Sequence, residues 1–179
     1  MKFTRFRALT SVFSIINKGI SDVIEAELRG AVPLDEEWMT NYINNRLLFS
    51  VCWGFGGSMA LKDREEFSKQ VQTFTSLPTP DLEGPPLLDF EVNYEQEGQF
   101  TPWNDRVPHL DIETHQAGSP DVIIPTVDTL RHVEVLTAWL REHKPLILCG
   151  PPGSGKTMTL SSTLREHPQF ILQEVNFSR

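Results

Sequence analysis

The sequence has few cysteines and no apolar run long enough to cross a membrane. Cys52 and Cys149 are its two cysteines, and they are too few and too far apart for a disulfide framework or a four-ligand zinc site. The longest apolar stretch, residues 47–61, contains three glycines and falls short of the ~20 residues that span a bilayer. We therefore expect a protein of the reducing cytosol with no membrane-spanning segment.

Basic residues are also scarce. Lys and Arg number 16 against 24 Asp and Glu, which gives the 179-residue chain a net charge of −8. Nucleic acids and anionic membranes are recognised first through clustered Lys and Arg, so neither is expected as a partner. The acidic residues are concentrated in the segment 81–145, which carries 13 acidic and 4 basic side chains. We interpret most of that stretch as solvated surface.

Apolar material is sufficient for a core. Hydrophobic residues make up 39% of the chain, which excludes a disordered tail or a coiled-coil rod. The length suits one domain or slightly more, since domains commonly have about 100–150 residues. A globular protein is expected.

Three helices are predicted in the first 75 residues. Apolar residues recur at three- and four-residue steps over 3–28, which predicts an amphipathic helix ending near Gly30. It is no secretion signal, because polar residues interrupt the run and no small-residue cleavage site follows. A second helix is predicted from Asp35, a potential N-cap, to the glycines at 54–57, and a third from Asp63 to about residue 74. The apolar face of the first helix needs a partner to cover it, and it comprises Phe3, Phe6, Leu9, Val12, Phe13, Ile16, Ile20, Val23 and Ile24.

A boundary follows these helices. Residues 77–86 contain four prolines and a glycine, which cannot continue a helix. A short strand is predicted within 87–94, followed by a mainly extended acidic stretch. Thr126 is then expected to cap a helix that stops before Pro145 and has a buried side formed by Val133, Leu136, Trp139 and Leu140.

The strongest chemical signal is a glycine-rich loop. Residues 146–157 form the run LILCGPPGSGKT, an apolar strand leading into G-x-x-x-x-G-K-T and then a helix, which is the context of a phosphate-binding P-loop. The glycines let backbone N–H groups approach phosphate oxygens, the lysine supplies positive charge, and Thr157 offers a hydroxyl to Mg²⁺. A turn that binds no ligand is the alternative. The predicted binding residues are Gly150, Pro151, Pro152, Gly153, Ser154, Gly155, Lys156 and Thr157.

Hydrolysis is left open. A P-loop ATPase needs a downstream strand whose acidic end holds Mg²⁺ and polarises water. Residues 170–177 are predicted as the next strand, but Glu174 comes too soon after the helix to be that acid. Cys149 is interpreted as a small buried residue of the preceding strand rather than a nucleophile.

Several segments in this order resemble dynein heavy chains, most closely the cytoplasmic type. They are LLFSVCWGFGG at 47–57, Trp103 with Val107 and Pro108, IPTVDTLR at 124–131, and CGPPGSGKTMTL at 149–160. The P-loop alone identifies only a superfamily, and the segment before it is more specific. The resemblance covers nearly the whole chain and spans the end of the second AAA+ module and the start of the third.

The resemblance implies an α/β fold that is incomplete. Residues 1–76 would be the helical lid of a preceding AAA+ module, 77–86 a Pro-rich joint, and 87–179 the first part of a P-loop AAA+ core. The segment 124–131 would lie beside adenine, with Ile123 and Ile124 as its apolar contacts. Ordinary packing of these two isoleucines is the alternative.

The function implied is that of an ATP-binding fragment with ATP or ADP and Mg²⁺ as cofactors. The parent would be a minus-end-directed microtubule motor of the cytoplasm and cytoskeleton, in which this module binds nucleotide and regulates the ring. Its partners would be neighbouring AAA+ modules, microtubules, dynein intermediate and light chains, and dynactin. The third module's magnesium acids, sensors and arginine finger are missing, so enzymatic activity is not assigned. A structural piece that binds no nucleotide, or a small P-loop kinase or GTPase, are the alternatives.

Overall fold

The computed structural model describes residues 4–30, 35–81, 83–109, 124–173 and 175. These residues form helices and one small sheet. The elements are α1 (Arg5–Leu28), α2 (Glu36–Gly56), α3 (Leu61–Phe74), β1 (Phe90–Val92), β2 (Phe100–Pro102), α4 (Val127–Arg141) and α5 (Lys156–Arg165). The three helices predicted before residue 75 are confirmed. No described helix is both long and apolar enough to cross a membrane.

Side-chain caps fix where two of the helices begin. The backbone N–H of Trp38 donates to Asp35 Oδ1 at 2.7 Å, and the N–H of Thr129 donates to Thr126 Oγ1 at 3.2 Å. Each bond satisfies a first-turn donor that has no partner within its helix. The predicted starts at Asp35 and Thr126 are confirmed.

Small residues bring α1 and α2 into close contact. A side chain at Gly54 would collide with Val12 Cγ2, and its Cβ would lie 3.0 Å from the carbonyl oxygen of Ala8. A Cβ at Gly19 would lie 2.5 Å from Arg46 Nε. The two helices therefore approach where side chains are absent or short. The buried residues of α1 are Ala8, Val12, Ser14, Ile15, Gly19, Val23 and Ala26.

The prediction for the buried face of α1 was largely wrong. Phe6 is 82% exposed and Phe13 60% exposed, and Leu9, Ile20 and Ile24 are exposed as well. The structure buries Val12 and Val23 and partly buries Ile16, while Phe3 lies outside the described residues. The reason is steric, because α2 packs against the side of α1 on which small residues permit a close approach.

The core forms around the aromatic residues of α2. The Trp38 and Tyr42 rings stack with centroids 5.3 Å apart, and the Phe49 ring lies 6.4 Å from that of Trp103. Trp103 follows β2, so the chain after the Pro-rich boundary folds back onto α2. The remaining core residues include Ile15, Leu48, Cys52, Trp53, Leu87, Leu88 and Val92.

The predicted strand within 87–94 is shorter than expected. Residues Leu87–Asp89 form a 3₁₀ turn, and β1 comprises Phe90–Val92. It pairs antiparallel with β2, and Val92 lies opposite Phe100. Among the described residues these two strands form the one sheet.

Ion pairs join α4 to α1 and α2. Glu134 on α4 contacts Lys18 Nζ and Arg46 Nη2, each at 2.9 Å. Asp22 on α1 contacts Lys18 Nζ at 2.7 Å and Arg141 Nη1 at 2.6 Å. We call Lys18, Asp22, Arg46, Glu134 and Arg141 the ionic cluster. The predicted buried side of α4 is confirmed for Leu136, whereas Val133, Trp139 and Leu140 are only partly buried.

The ionic cluster predicts a loss of stability in acid. Lys18 and Arg46 lower the pKa of Glu134 from 4.5 to about 2, against the opposing effect of burial. Because the folded-state pKa is depressed, the stabilisation is complete above about pH 4.5 and is lost as pH falls toward 2. The loss is on the order of 3 kcal/mol. Glu134, Lys18 and Arg46 line a cavity. The remaining charged or titratable residues that line it are Asp22, Tyr42, Glu91, Tyr94, Glu95 and Arg106.

The measurement is urea unfolding of wild type and Glu134→Gln across this pH range. The variant should be less stable at neutral pH and should lose less stability on acidification. Glu65→Gln is the matched control, because Glu65 is exposed on α3. A Glu134→Gln curve parallel to that of wild type would contradict the assignment.

Candidate phosphate-binding loop

The loop at 150–155 turns through two left-handed glycines. Gly153 has φ +77° and Gly155 has φ +74°, values that residues with a side chain rarely adopt. The N–H of Ser154 donates to the carbonyl oxygen of Pro151 at 3.3 Å and closes the turn. Gly155 is also the N-cap of α5, so the loop leads directly into a helix.

Lys156 lies folded against this loop. Its Nζ donates to the carbonyl oxygens of Gly150 at 3.0 Å and Pro151 at 2.7 Å, and to Ser154 Oγ at 3.1 Å. The three N–H donors of an ammonium group are thus directed at three neutral oxygens. A positive charge is thereby held at the mouth of the loop.

The start of α5 adds further donors. The first N–H groups of a helix have no partner within it, and they form the positive end of the helix dipole. The first turn of α5 contains no acidic residue. Thr157 is exposed, as are the loop residues 150–154. Backbone amides, an ammonium group and a hydroxyl, all accessible, suit an anionic phosphate.

Gly150 lies close to the side chains of Ser154 and Lys156. A Cβ there would lie 2.9 Å from Ser154 Oγ and 3.6 Å from Lys156 Cδ. A side chain would displace Ser154 and disturb the contacts of the lysine. The two prolines that follow, Pro151 and Pro152, are exposed.

The predicted strands on either side of the loop helix are not formed in the described residues. Residues 146–149 are irregular, and so are 171–173 and 175. Cys149 is exposed, so its prediction as a buried residue was wrong. A parallel strand needs hydrogen-bonded neighbours and cover on both faces, and the described chain places neither beside these segments. Glu174 lies outside the described residues.

The predicted adenine contacts stay a prediction. Ile123 lies outside the described residues, and Ile124 is 58% exposed. The next residue, Pro125, lines a cavity of about 310 Å³ between α4 and α5. The buried indole N–H of Trp103, which also lines it, has no hydrogen-bond partner among the described residues. The other lining residues are Arg106, Thr129, Leu130, Val133, Glu134, Ser162 and Glu166.

Arg131, the last residue of the IPTVDTLR segment, has a structural role. Its guanidinium pairs with Asp89 and, at 2.6 Å, with Asp128 Oδ1. The pair with Asp89 ties the start of α4 to the 3₁₀ turn before β1, and the pair with Asp128 lies within α4. Arg131 therefore holds in place the helix that leads toward the loop.

Sequence reasoning missed the ionic cluster. Its members were counted as part of the charge balance, and none was singled out. Arg46 carried a signal, because it comes four residues after Tyr42 and three before Phe49 and so shares the aromatic face of α2. A lone cation on such a face predicts a buried charge with a partner elsewhere in the chain.

A mostly helical structure with one small sheet, followed by a glycine-rich loop at the start of a helix, defines a protein of the P-loop class. Residues 1–105 match the dynein heavy chain AAA lid domain, and residues 113–179 match the P-loop containing dynein motor region. The chain belongs to the dynein heavy chain family. The resemblance and the fold class predicted from the sequence are confirmed.

Curated relatives match over almost the whole chain. The cytoplasmic dynein heavy chain of Dictyostelium discoideum is 54% identical over 179 residues, covering 99% of this chain. The corresponding protein of Drosophila melanogaster is 44% identical over 179 residues, and that of Neurospora crassa is 44% identical over 180 residues, each again with 99% of the chain covered. The chain spans 4% of the length of these relatives.

The two cysteines are expected to react very differently. Cys52 is 1% exposed, and burial raises the pKa of its thiol to about 12, so its reactive thiolate is scarce at neutral pH. Cys149 is exposed next to the loop. Native protein treated with N-ethylmaleimide should carry a single adduct at Cys149, measured by peptide mass spectrometry.

Two variants control this measurement. Cys149→Ser should remain unmodified until it is unfolded in urea, whereas Cys52→Ser should be modified like wild type. Rapid native modification of Cys52 would contradict the packing of α2 described above.

Proposed function

We propose that this segment binds nucleotide in the motor ring of a cytoplasmic dynein heavy chain, with the loop 150–157 holding the phosphates of ATP or ADP. The observation that carries the proposal is the ammonium group of Lys156, held within a left-handed glycine loop at the start of α5. Membership of the dynein family supports it. The division proposed from the sequence is a lid at 1–76, a joint at 77–86 and the start of an AAA+ core at 87–179, whereas the match to the lid domain runs on to residue 105.

Nucleotide binding would replace the hydrogen-bond acceptors of Lys156. Its ammonium would leave neutral loop oxygens for phosphate oxygens, which bear charge and accept stronger bonds. Charge-assisted bonds contribute ~1.5–3 kcal/mol each, and micromolar affinity needs about 8 kcal/mol, so Lys156 with several amides is sufficient. Thr157 would offer its hydroxyl to Mg²⁺, which supplies charge neutralisation at the outer phosphates.

The wider role follows from the family. In the proposed parent, a minus-end-directed microtubule motor of the cytoplasm and cytoskeleton, this module would bind nucleotide and regulate the ring. Neighbouring AAA+ modules would be its direct partners, and microtubules, intermediate and light chains, and dynactin would be partners of the whole protein. The proposal assigns binding to these residues and leaves hydrolysis to acidic groups elsewhere.

A second candidate is a structural segment that binds no nucleotide by itself. The exposure of Ile124, 58%, favours this alternative, because an adenine contact should face a pocket. Equilibrium dialysis of the 179-residue chain with labelled ATP separates the two. Retention of ATP by the segment supports the first candidate, and retention only by a chain extended through the third AAA+ module supports the second.

Lys156→Ala should weaken ATP binding by about tenfold or more, because it removes a charge worth at least ~1.4 kcal/mol. The measurement is titration of fluorescent ATP with Mg²⁺ into a chain extended through the third module. Lys62→Ala is the matched control, since Lys62 is exposed on α3. Equal affinities for wild type and Lys156→Ala would refute the site.

Thr157→Val should remove the effect of magnesium on binding. Valine keeps the shape of threonine and loses the hydroxyl, so ATP affinity with Mg²⁺ should fall toward the affinity measured in EDTA. Thr73→Val, on the exposed face of α3, should keep the full magnesium effect. A magnesium dependence unchanged by Thr157→Val would exclude this hydroxyl as a ligand.

A further inference from the structure

Glu134 joins three helices through one carboxylate. Oε2 contacts Lys18 of α1 and Oε1 contacts Arg46 of α2, both at 2.9 Å. The exposed fractions of the three side chains are 16% for Glu134, 10% for Lys18 and 6% for Arg46. Exposed pairs contribute little to stability, but removing one member of a buried pair leaves an uncompensated charge. The position of α4 therefore depends on this carboxylate.

Arg46 is itself held in place by other contacts, so it anchors Glu134. The same Nη2 that contacts Glu134 donates to the carbonyl oxygen of Ile15 at 3.1 Å. The guanidinium carbon lies 4.9 Å from the centre of the Phe49 ring, and Gly19 leaves room for the guanidinium. Arg46 is thus held by α1 and α2 together, and Glu134 is anchored to both.

Further contacts join α1 to residues 141–144, which lie between Glu134 and the loop in the chain. Arg141 Nη1 contacts Asp22 Oδ1 at 2.6 Å, and the side chain of Glu142 accepts from Asn17 Nδ2 at 2.6 Å. Lys144 Nζ donates to Ser14 Oγ at 2.7 Å. Asp22, Asn17 and Ser14 all belong to α1.

The last of these contacts is made by Lys144, six residues before Gly150 in the chain. We call residues 145–149, between Lys144 and Gly150, the loop arm. The described arm has no strand hydrogen bonds, so the contacts along α1 fix the point from which it starts. A shift of α4 against α1 would therefore move the start of the arm.

We propose that Glu134 is a positioning residue: it fixes α4, and through α4 the loop arm, against α1 and α2, so that nucleotide affinity at 150–157 depends on a carboxylate that does not touch the loop. This inference rests on the proposed function. It assigns to α1 and α2 an influence, exerted through α4, on the loop that follows them in the chain.

The first test is hydrogen exchange of the 179-residue chain. Glu134→Gln should raise amide exchange of the hydrogen-bonded residues 138–144, at the end of α4 and in the turn before the arm, by about tenfold, while α2 changes much less. Asn45→Ala is the structural control. Its side chain donates to the carbonyl oxygen of Gly98 at 2.9 Å, buried on α2, and its loss should destabilise the core without selective exchange at that end of α4. Equal increases across α1, α2 and α4 in Glu134→Gln would overturn the proposal.

The second test is ATP affinity in the chain extended through the third module. Glu134→Gln should weaken binding by about fivefold or more, and Asn45→Ala should leave it unchanged. If Glu134→Gln does not fold, Arg141→Gln breaks the contact with Asp22 at a partly exposed position and should act in the same direction.

The outcomes separate the two proposals. If Lys156→Ala weakens binding and neither Glu134→Gln nor Arg141→Gln does, the positioning role is refuted and the loop assignment stands. If Lys156→Ala has no effect, the proposed function fails, while the exchange experiment still decides whether Glu134 fixes the arm.

Discussion

A buried guanidinium at the junction of three helices determines much of the described structure. A charge without a partner in the interior is very costly, so the guanidinium of Arg46 requires acceptors. Its Nη2 finds them, whereas its buried Nε has none among the described residues. α1 supplies the Ile15 carbonyl oxygen, and α4 supplies the carboxylate of Glu134. The absence of a side chain at Gly19 gives the guanidinium its space. Removing any of these partners would leave polar groups buried and unpaired.

The sequence predicted the helices better than their packing. Caps, glycine breakers and prolines act through neighbouring residues, which is why the starts at Asp35 and Thr126 were predictable. The buried face of α1 was not, because the larger apolar residues were assumed to face the core. Instead α2 approaches the side that carries Ala8 and Gly19, and Phe13 remains exposed. Which side of a helix meets its neighbour depends on the shape of both, and one periodic pattern does not contain that information.

The candidate site shows the same difference between features set by neighbouring residues and features set by distant parts of the chain. The loop motif could be recognised from the chain because its left-handed glycines and its lysine act over a few residues. The strand before it depends on partners far away in the sequence, so an apolar run was insufficient to predict its state or the burial of Cys149. The contacts of Lys156 with the loop oxygens were also not predicted, since they depend on how the turn closes.

Buried ion pairs explain part of the uneven distribution of charge along the chain. Residues 81–145 have excess acid, and part of it is internal: Glu91, 4% exposed, contacts Arg106 at 2.6 Å, and Glu134 contacts Lys18 and Arg46. The interpretation of that stretch as solvated surface is therefore incomplete. Lys18 and Arg46 come from the first 80 residues, whose total charge is balanced, yet both find an acidic partner beyond residue 80. Because a buried charge requires a partner of opposite sign, the early helices reach their lowest free energy only with α4 docked against them. The folding of α1 and α2 is thus coupled to the segment that leads toward the loop.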